Sequence, residues 1–277
     1  MAGIEGFGAL VTGGGTGIGS ACAARLAADG ARVLICGRTE AKLIESAERG
    51  NRVAGHGGRV EWMAADVTDE AQVRAVVERA AELAGGRLDV VVANAGGGGL
   101  PAPYHLQDTA EFVRVLNLNV LGTFFCIKHA VPKMAERGGS FIGMSSIAGH
   151  VTHVMFGAYP VAKAGIEQMM RNAADEYGAR RIRFNAIRPG FVATEMMDVI
   201  PRDSATYASY IDNTPLGDVG QPEDVGELCR FLAGPESRWI TGQCINVDGG
   251  HSLRAGPDFS HFLRPHFTAE VLTGQLP

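Results

Sequence analysis

Short apolar runs alternate with longer stretches patterned at helical period along most of the chain. Gly8 to Val11, Arg32 to Cys36, Arg59 to Ala65, Leu88 to Ala93, the GGSFIGM run ending at Met144, Arg183 to Ile187 and Cys244 to Val247 each read as a strand. LDVVVA, at Leu88 to Ala93, is nearly all apolar, as a parallel strand covered on both faces should be. Between the strands, Ser20 to Ala28, Thr39 to Glu48, Glu70 to Leu83, Thr109 to Arg137, a stretch through Lys163 to about Tyr177, and Pro222 to Ala233 read as helices. Thr39 is a candidate N-cap, and Pro222 stands where a helix starts. Strand, helix, strand in repetition means βαβ units and an α/β fold.

Four places in this pattern carry chemistry. The first is the turn Thr12 to Gly19, TGGGTGIG, between a strand and a helix. Gly13, Gly17 and Gly19 let backbone approach a phosphate at a helix N-terminus, where free N–H groups favour an anion. The spacing is neither G-x-G-x-x-G nor a phosphate loop, since no Lys-Ser/Thr pair follows. The second is the end of the Arg32 to Cys36 strand, where an acid would take the ribose 2′-hydroxyl of NAD. Gly37 and Arg38 stand there instead, favouring the 2′-phosphate of NADP, while Glu40 keeps NAD possible. Further on, Asp66-Val67 offers a carboxylate with a free backbone N–H to an adenine edge, and Asn94 to Gly99 leaves bare backbone for a flat ligand.

The third is Ser145 to Lys163, SSIAGHVTHVMFGAYPVAK. If Pro160 opens a helix, Tyr159 and Lys163 fall at i and i+4 on one face. An ammonium beside the phenol favours phenolate, lowers the pKa and lets the tyrosine pass a proton. Ser145 or Ser146, at a strand end, then faces it. The fourth is Asn119, a polar residue in an apolar helix that needs a hydrogen-bond partner. Phe191 to Pro215, with Met196, Met197, Tyr207 and Tyr210, reads as a mobile lid.

Composition narrows the classes. At 277 residues one domain over 1–250 suffices, with 251–277 as a C-terminal extension. With 25 Lys+Arg against 30 Asp+Glu and no basic run, neither nucleic acid nor an anionic membrane is expected as partner. Five scattered cysteines and eight histidines show neither a disulfide framework nor metal-ligand spacing. No apolar stretch reads as a membrane span and no leader pattern opens the chain, so a cytoplasmic protein is expected.

Taken together, Gly6 to Gly250 resembles the short-chain dehydrogenase/reductase family. The resemblance rests on the Thr12 to Gly19 turn, Asp66, Asn94-Ala95-Gly96, Asn119, Ser146 with Tyr159 and Lys163, and Pro189-Gly190 with Thr194. It implies a Rossmann-type, doubly wound sheet of seven parallel strands with helices on both faces, three layers in all, binding NADP or NAD. It also implies roles. Tyr159 would give or take the proton, Lys163 would lower its pKa and hold the nicotinamide ribose, Ser146, the serine followed by Ile-Ala-Gly, would orient the carbonyl, and Asn119 would hold a water. The cofactor would lie along Gly13, Gly15, Thr16, Gly17, Ile18, Gly19, Arg38, Thr39, Asp66, Val67, Asn94, Ala95, Gly96, Pro189, Gly190, Val192 and Thr194, besides Tyr159 and Lys163. Ala93, where the family often has Asn, Pro160 after the tyrosine, and the long tail depart from the pattern.

The activity implied is reduction of a ketone or oxidation of an alcohol with NADP(H). A 3-oxoacyl thioester reductase is the alternative within the family, and a cofactor-binding regulator the alternative outside it. Leu100 to Tyr104, His150 to Phe156 and Met196-Met197 suggest an apolar substrate. Family members are commonly dimers or tetramers. The apolar residues of the tail are expected to cross to a neighbouring subunit and border its cleft.

Overall fold

The structure is a computed structural model and describes residues 3–254 and 259–272. Among these residues, β1 (Gly8–Thr12), β2 (Arg32–Gly37), β3 (Arg59–Ala64), β4 (Val90–Ala93), β5 (Gly139–Met144), β6 (Ile182–Pro189) and β7 (Cys244–Val247) form one parallel sheet. Its order is β3-β2-β1-β4-β5-β6-β7, so the winding reverses between β1 and β4. At such a reversal the loops leaving the carboxyl ends of neighbouring strands diverge and open a crevice. The register brings those ends level: Thr12 pairs with Cys36, Ala93 with Gly143, and Met144 with Ile187.

The helices are α1 (Gly17–Ala28), α2 (Glu40–Val53), α3 (Glu70–Leu83), α4 (Thr109–Leu116), α5 (Gly122–Met134), α6 (Ala158–Tyr177), α7 (Ala205–Asp212) and α8 (Pro222–Ala233). Alternation along each strand divides the core in two. Leu10, Leu34, Val91, Phe141 and Phe184 pack with Val76, Cys126 and Met170 of α3, α5 and α6. Ala9, Val11, Val33, Ile35 and Ile142 pack with Leu26, Leu43 and Leu232 of α1, α2 and α8. Each large side chain buried this way contributes about 1.5–3 kcal/mol. The expected three layers and seven strands are present, with element ends moved by a few residues. β4, for instance, starts at Val90, because Asp89 turns its carboxylate to accept the Gly8 N–H at 2.8 Å.

Three expectations change. The helix expected from Thr109 to Arg137 is α4 and α5 joined by a π turn at Asn117–Leu121, which carries Asn119. By length and composition this joined stretch, Thr109–Met134, could cross a membrane, contrary to the sequence reading. Here it packs on the sheet through Cys126, Ile127 and Ala130, and Lys128 pairs with Glu70 at 2.6 Å. The segment from 191 to 215 is not loose either. Ser204 caps α7, accepting the Tyr207 N–H at 3.1 Å, and Phe191, Ile200 and Tyr210 are buried together.

Part of the tail differs as well. Phe259 and Leu263, the latter in α9 (Ser260–Leu263), are buried against their own chain. Phe259 stacks on Phe156 at 4.8 Å and 10° and joins the Phe191–Tyr210 cluster. The start of the tail is thus held by an aromatic cluster of its own subunit, while Phe267, Val271 and Leu272 are only half-buried. Residues 255–258 and 273–277 lie outside the described residues.

Candidate active site

The first βα turn is built for close backbone approach. Gly13 and Gly17 have φ of +63° and +50°, and a Cβ added at Gly19 would fall 2.2 Å from the Gly13 carbonyl oxygen. Thr16 precedes α1 without a capping bond from its side chain, and the first turn of the helix contains no acid. The leading N–H groups of α1 therefore suit an anion. The Asn94 amide donates to the carbonyls of Thr12 and Gly13 at 3.0 and 3.1 Å, while Thr12 Oγ1 accepts the N–H groups of Asn94 and Ala95. The side chain of Asn94 thus holds the turn together.

Two clefts open above the strand ends and share Gly13, Thr16, Ala95 and Gly96. The smaller, about 240 Å³, is lined by Gly15, Arg38, Thr39, Lys42, Asp66 and Val67. Glu40 is not on its wall. The Asp66 N–H donates to Gln72 Oε1 at 2.9 Å and its Oδ1 accepts from Thr68, which holds the carboxylate at the cleft wall beside Val67. The larger cleft, about 900 Å³, is lined by Gly17, Ile18, Gly19, Ser146, Tyr159, Lys163, Pro189, Gly190, Val192 and Thr194, with aromatic and methionine side chains above them. Every residue singled out for a cofactor thus lies on one wall or the other. The glycine cradle and the free helix end fit a dinucleotide diphosphate, and Arg38 with Lys42 fits a further phosphate.

The polar centre of the larger cleft forms where β5 meets α6. Gly157, at φ +58°, turns the chain into α6 two residues before Tyr159, and Pro160 falls in the first turn, where its missing N–H costs nothing. Of the two serines, Ser146 shares the cleft wall with Tyr159, and its Oγ accepts the Ala148 N–H at 3.2 Å. Ser145 instead donates to Glu167 Oε1 at 2.9 Å. Lys163 is 3% exposed, its Nζ 5.3 Å from the Tyr159 ring centroid and donating to the Met144 carbonyl at 2.8 Å. A Cβ added at Gly96 would lie 2.5 Å from Asn119 Oδ1 and 3.1 Å from Lys163 Nζ, so both groups close on that glycine. Nδ2 of Asn119 donates to the carbonyls of Val115 and Gly97 at 2.8 and 2.9 Å, its Oδ1 accepts the Gly97 N–H, and its own carbonyl accepts Thr123 Oγ1. Its side chain staples the π turn to the glycine loop.

The electrostatics differ from the simple expectation that Lys163 depresses the phenol. Burial pushes the Tyr159 phenol up, and the nearby Ser146 hydroxyl offsets part of this. Burial also lowers Lys163 from 10.5 to about 8. Below pH 8 the folded protein holds a buried ammonium at a cost. Between pH 8 and 10.5 it releases the proton while the unfolded chain keeps its own, so stability rises with pH through that window. The stability advantage of Lys163→Met over wild type should therefore shrink as pH rises from 8 to 10.5. Urea titrations at several pH values check this, and a constant difference across the window would refute it.

Sequence reasoning missed the network behind Ser145. Glu167, one turn after Lys163 on α6 and 3% exposed, receives Arg188 of β6 at both carboxylate oxygens. A glutamate four residues after Lys163 was the available signal, but its arginine partner lies on a strand 21 residues away. Also unmarked in the sequence was Lys42, which pairs with Glu195 at 2.5 Å between α2 and the segment after β6. Among the described residues no cluster could hold a metal ion.

Comparison with known proteins bears on this geometry. A family model described as enoyl-(acyl carrier protein) reductase matches residues 13–252. The cis-4-hydroxycyclohexanecarboxylate dehydrogenase of Sinomonas cyclohexanicum is 40% identical over 246 residues, covering 88% of this chain and 96% of that protein. The 3-oxoacyl-acyl-carrier-protein reductase FabG of Thermotoga maritima is 35% identical over 248 residues, covering 89% and 98%. The solved structure of a short-chain type dehydrogenase/reductase from Mycobacterium ulcerans superimposes with a TM-score of 0.96 at 40% identity, covering 99% of this chain and 100% of that one. A fold, a glycine turn and a Ser–Tyr–Lys centre read from the residues thus meet relatives that share nearly the full length, and the chain belongs to the short-chain dehydrogenase/reductase family of oxidoreductases acting on alcohol and carbonyl groups.

Proposed function

We propose that this enzyme interconverts a ketone and a secondary alcohol with NADP(H) in preference to NAD(H), using Tyr159 as general acid and base. The observation that carries this reading is the gathering of Ser146, Tyr159 and Lys163 on one wall, with Lys163 Nζ 5.3 Å from the Tyr159 ring centroid, in a cleft continuous with the glycine turn. A bound nicotinamide would supply or take the hydride. In reduction, Tyr159 passes its phenolic proton to the carbonyl oxygen, which Ser146 orients. Lys163 places a cation beside the phenol and is positioned to bind a ribose hydroxyl. Asn119 contributes by fixing the glycine loop at Gly96 and Gly97 below them.

Preference for NADP(H) rests on Arg38, Thr39 and Lys42 in the smaller cleft and on the absence of an acid at Gly37. A charge-assisted contact to phosphate is worth roughly 1.5–3 kcal/mol, so Arg38→Ala should reduce the NADP preference by about ten- to a hundredfold. Following nicotinamide absorbance over a panel of ketones and alcohols with each cofactor tests the whole reading. Better kcat/KM with NAD in the wild type refutes the cofactor assignment, and no turnover at all returns the chain to a binding role. A thioester substrate, as in the Thermotoga relative's name, is the rival within the family. Phe259 and Phe262 on the cleft wall add an aromatic lining that suits an apolar ketone. The enzyme is proposed to be a cytoplasmic homodimer or homotetramer. Exposed Val113, Leu121, Phe124 and Val161 on α4 to α6 support an assembly, and a monomer in sedimentation velocity would exclude it.

A further inference from the structure

Two polar side chains in the larger cleft have no part in the scheme above. His153 and Tyr210 both line it, at 8% and 5% exposure. His153 Nδ1 lies 2.9 Å from the Val151 carbonyl, so Nδ1 carries the proton and Nε2 a lone pair. The imidazole stands against Phe156 at 5.9 Å and Phe259 at 6.4 Å, and this burial lowers its pKa and keeps it neutral. Tyr210 stacks on Phe191 at 4.3 Å and 12°, which fixes the direction of its hydroxyl, and meets Phe259 edge-on at 6.2 Å. Among the described residues nothing bonds His153 Nε2 or the Tyr210 hydroxyl. Neither atom is sealed inside the protein, so both open onto the cleft, where a ligand group can meet them.

The two groups are complementary. One accepts, the other donates, and both flank Phe259 on the wall of one cleft. A hydroxyl matches the pair, giving its proton to Nε2 and accepting from the phenol. A carboxylate would meet the Nε2 lone pair, and a methyl or ring CH would leave both atoms unsatisfied. We propose that His153 and Tyr210 form a second polar subsite that takes a hydroxyl carried by the substrate away from its reacting carbon. The favoured substrate is then a hydroxy ketone, or the corresponding diol, with an otherwise apolar body held among Phe156, Phe191 and Phe259. This rests on the ketone–alcohol reading given above and narrows its substrate class.

The test uses matched ketones that differ only at the distal position: 4-hydroxycyclohexanone against 4-methylcyclohexanone, and a larger bicyclic pair built the same way. In the wild type with NADPH, the hydroxyl member should have the higher kcat/KM, by about tenfold or more. The ratio within each pair should fall towards one in Tyr210→Phe, which keeps the stack on Phe191, and in His153→Phe. His153→Gln, whose side-chain carbonyl can accept, should recover part of it. A wild-type ratio at or below one overturns the subsite, as does a ratio unchanged in both variants. Should no ketone in any pair be reduced, the hydride-transfer reading falls separately. Calorimetric titration of the same pairs then decides the subsite: tighter binding of the hydroxyl member, lost in Tyr210→Phe, supports it, and binding no tighter than that of the methyl member overturns it.

Discussion

Tyr159→Phe is expected to lower kcat by about a hundred- to ten-thousand-fold, the usual worth of general acid–base catalysis, while NADPH affinity stays close to that of the wild type. The phenyl ring keeps the contact that Tyr159 makes with Phe156 at 5.0 Å and its place 5.3 Å below Lys163 Nζ, so only the proton handle is lost. Single-turnover kinetics together with fluorescence titration of NADPH separate the two effects. Near-normal kcat would remove Tyr159 from the mechanism, and lost NADPH binding would mean that the ring, more than the proton, matters. The direction of the pKa shift adds a sign. Burial holds the phenol above its ordinary value, so at neutral pH it is protonated and ready to give a proton, which favours reduction. Alcohol oxidation needs the phenolate and should gain rate as pH rises.

Glu167→Ala is expected to cost about 3–5 kcal/mol of stability, the usual penalty for breaking a buried ion pair from one side. Arg188 is only 13% exposed and would keep its charge in a site whose one close carboxylate has gone. The same change releases Ser145, whose hydroxyl donates to Glu167 and whose neighbour Ser146 lies on the cleft wall with Tyr159. A lower urea midpoint with unchanged slope should therefore accompany a fall in kcat. Pairing Glu167→Ala with Arg188→Ala should recover part of the stability, because no lone charge remains. A single variant within about 1 kcal/mol of wild type would mean that water replaces the carboxylate, since exposed pairs are worth no more than that.

The grouping of Ser146, Tyr159 and Lys163 was legible because its parts lie close in sequence or recur as short patterns. Tyr159 and Lys163 are one helical turn apart, and Ser146 stands at the end of an apolar strand. The glycine turn could be recognised because only glycine satisfies its geometry: Gly13 and Gly17 need positive φ, and Gly19 has no room for a Cβ. Spacing alone left Ser145 and Ser146 both open, and only the resemblance, through the Ile-Ala-Gly that follows, chose Ser146; the structure gives Ser145 a different partner, Glu167. The π turn at Asn117–Leu121 was illegible for a related reason. Its pattern of apolar residues passes for one long helix, and only the Asn119 bonds to Val115 and Gly97 show why the turn widens there.

The sequence by itself determined the order of strands and helices, the two-sided core, the cofactor turn and the Ser–Tyr–Lys set, because local spacing and the period of apolar residues encode each of them. Tertiary structure alone decided what depends on side chains far apart in the chain. It brought Glu167 to Arg188 and His153 and Tyr210 to one cleft, and it folded Phe259 of the tail onto Phe156 of the same subunit. It also set the signs of the pKa shifts. Burial, which no spacing reveals, raises the Tyr159 phenol and lowers Lys163, where the residue types alone suggested that the ammonium would govern.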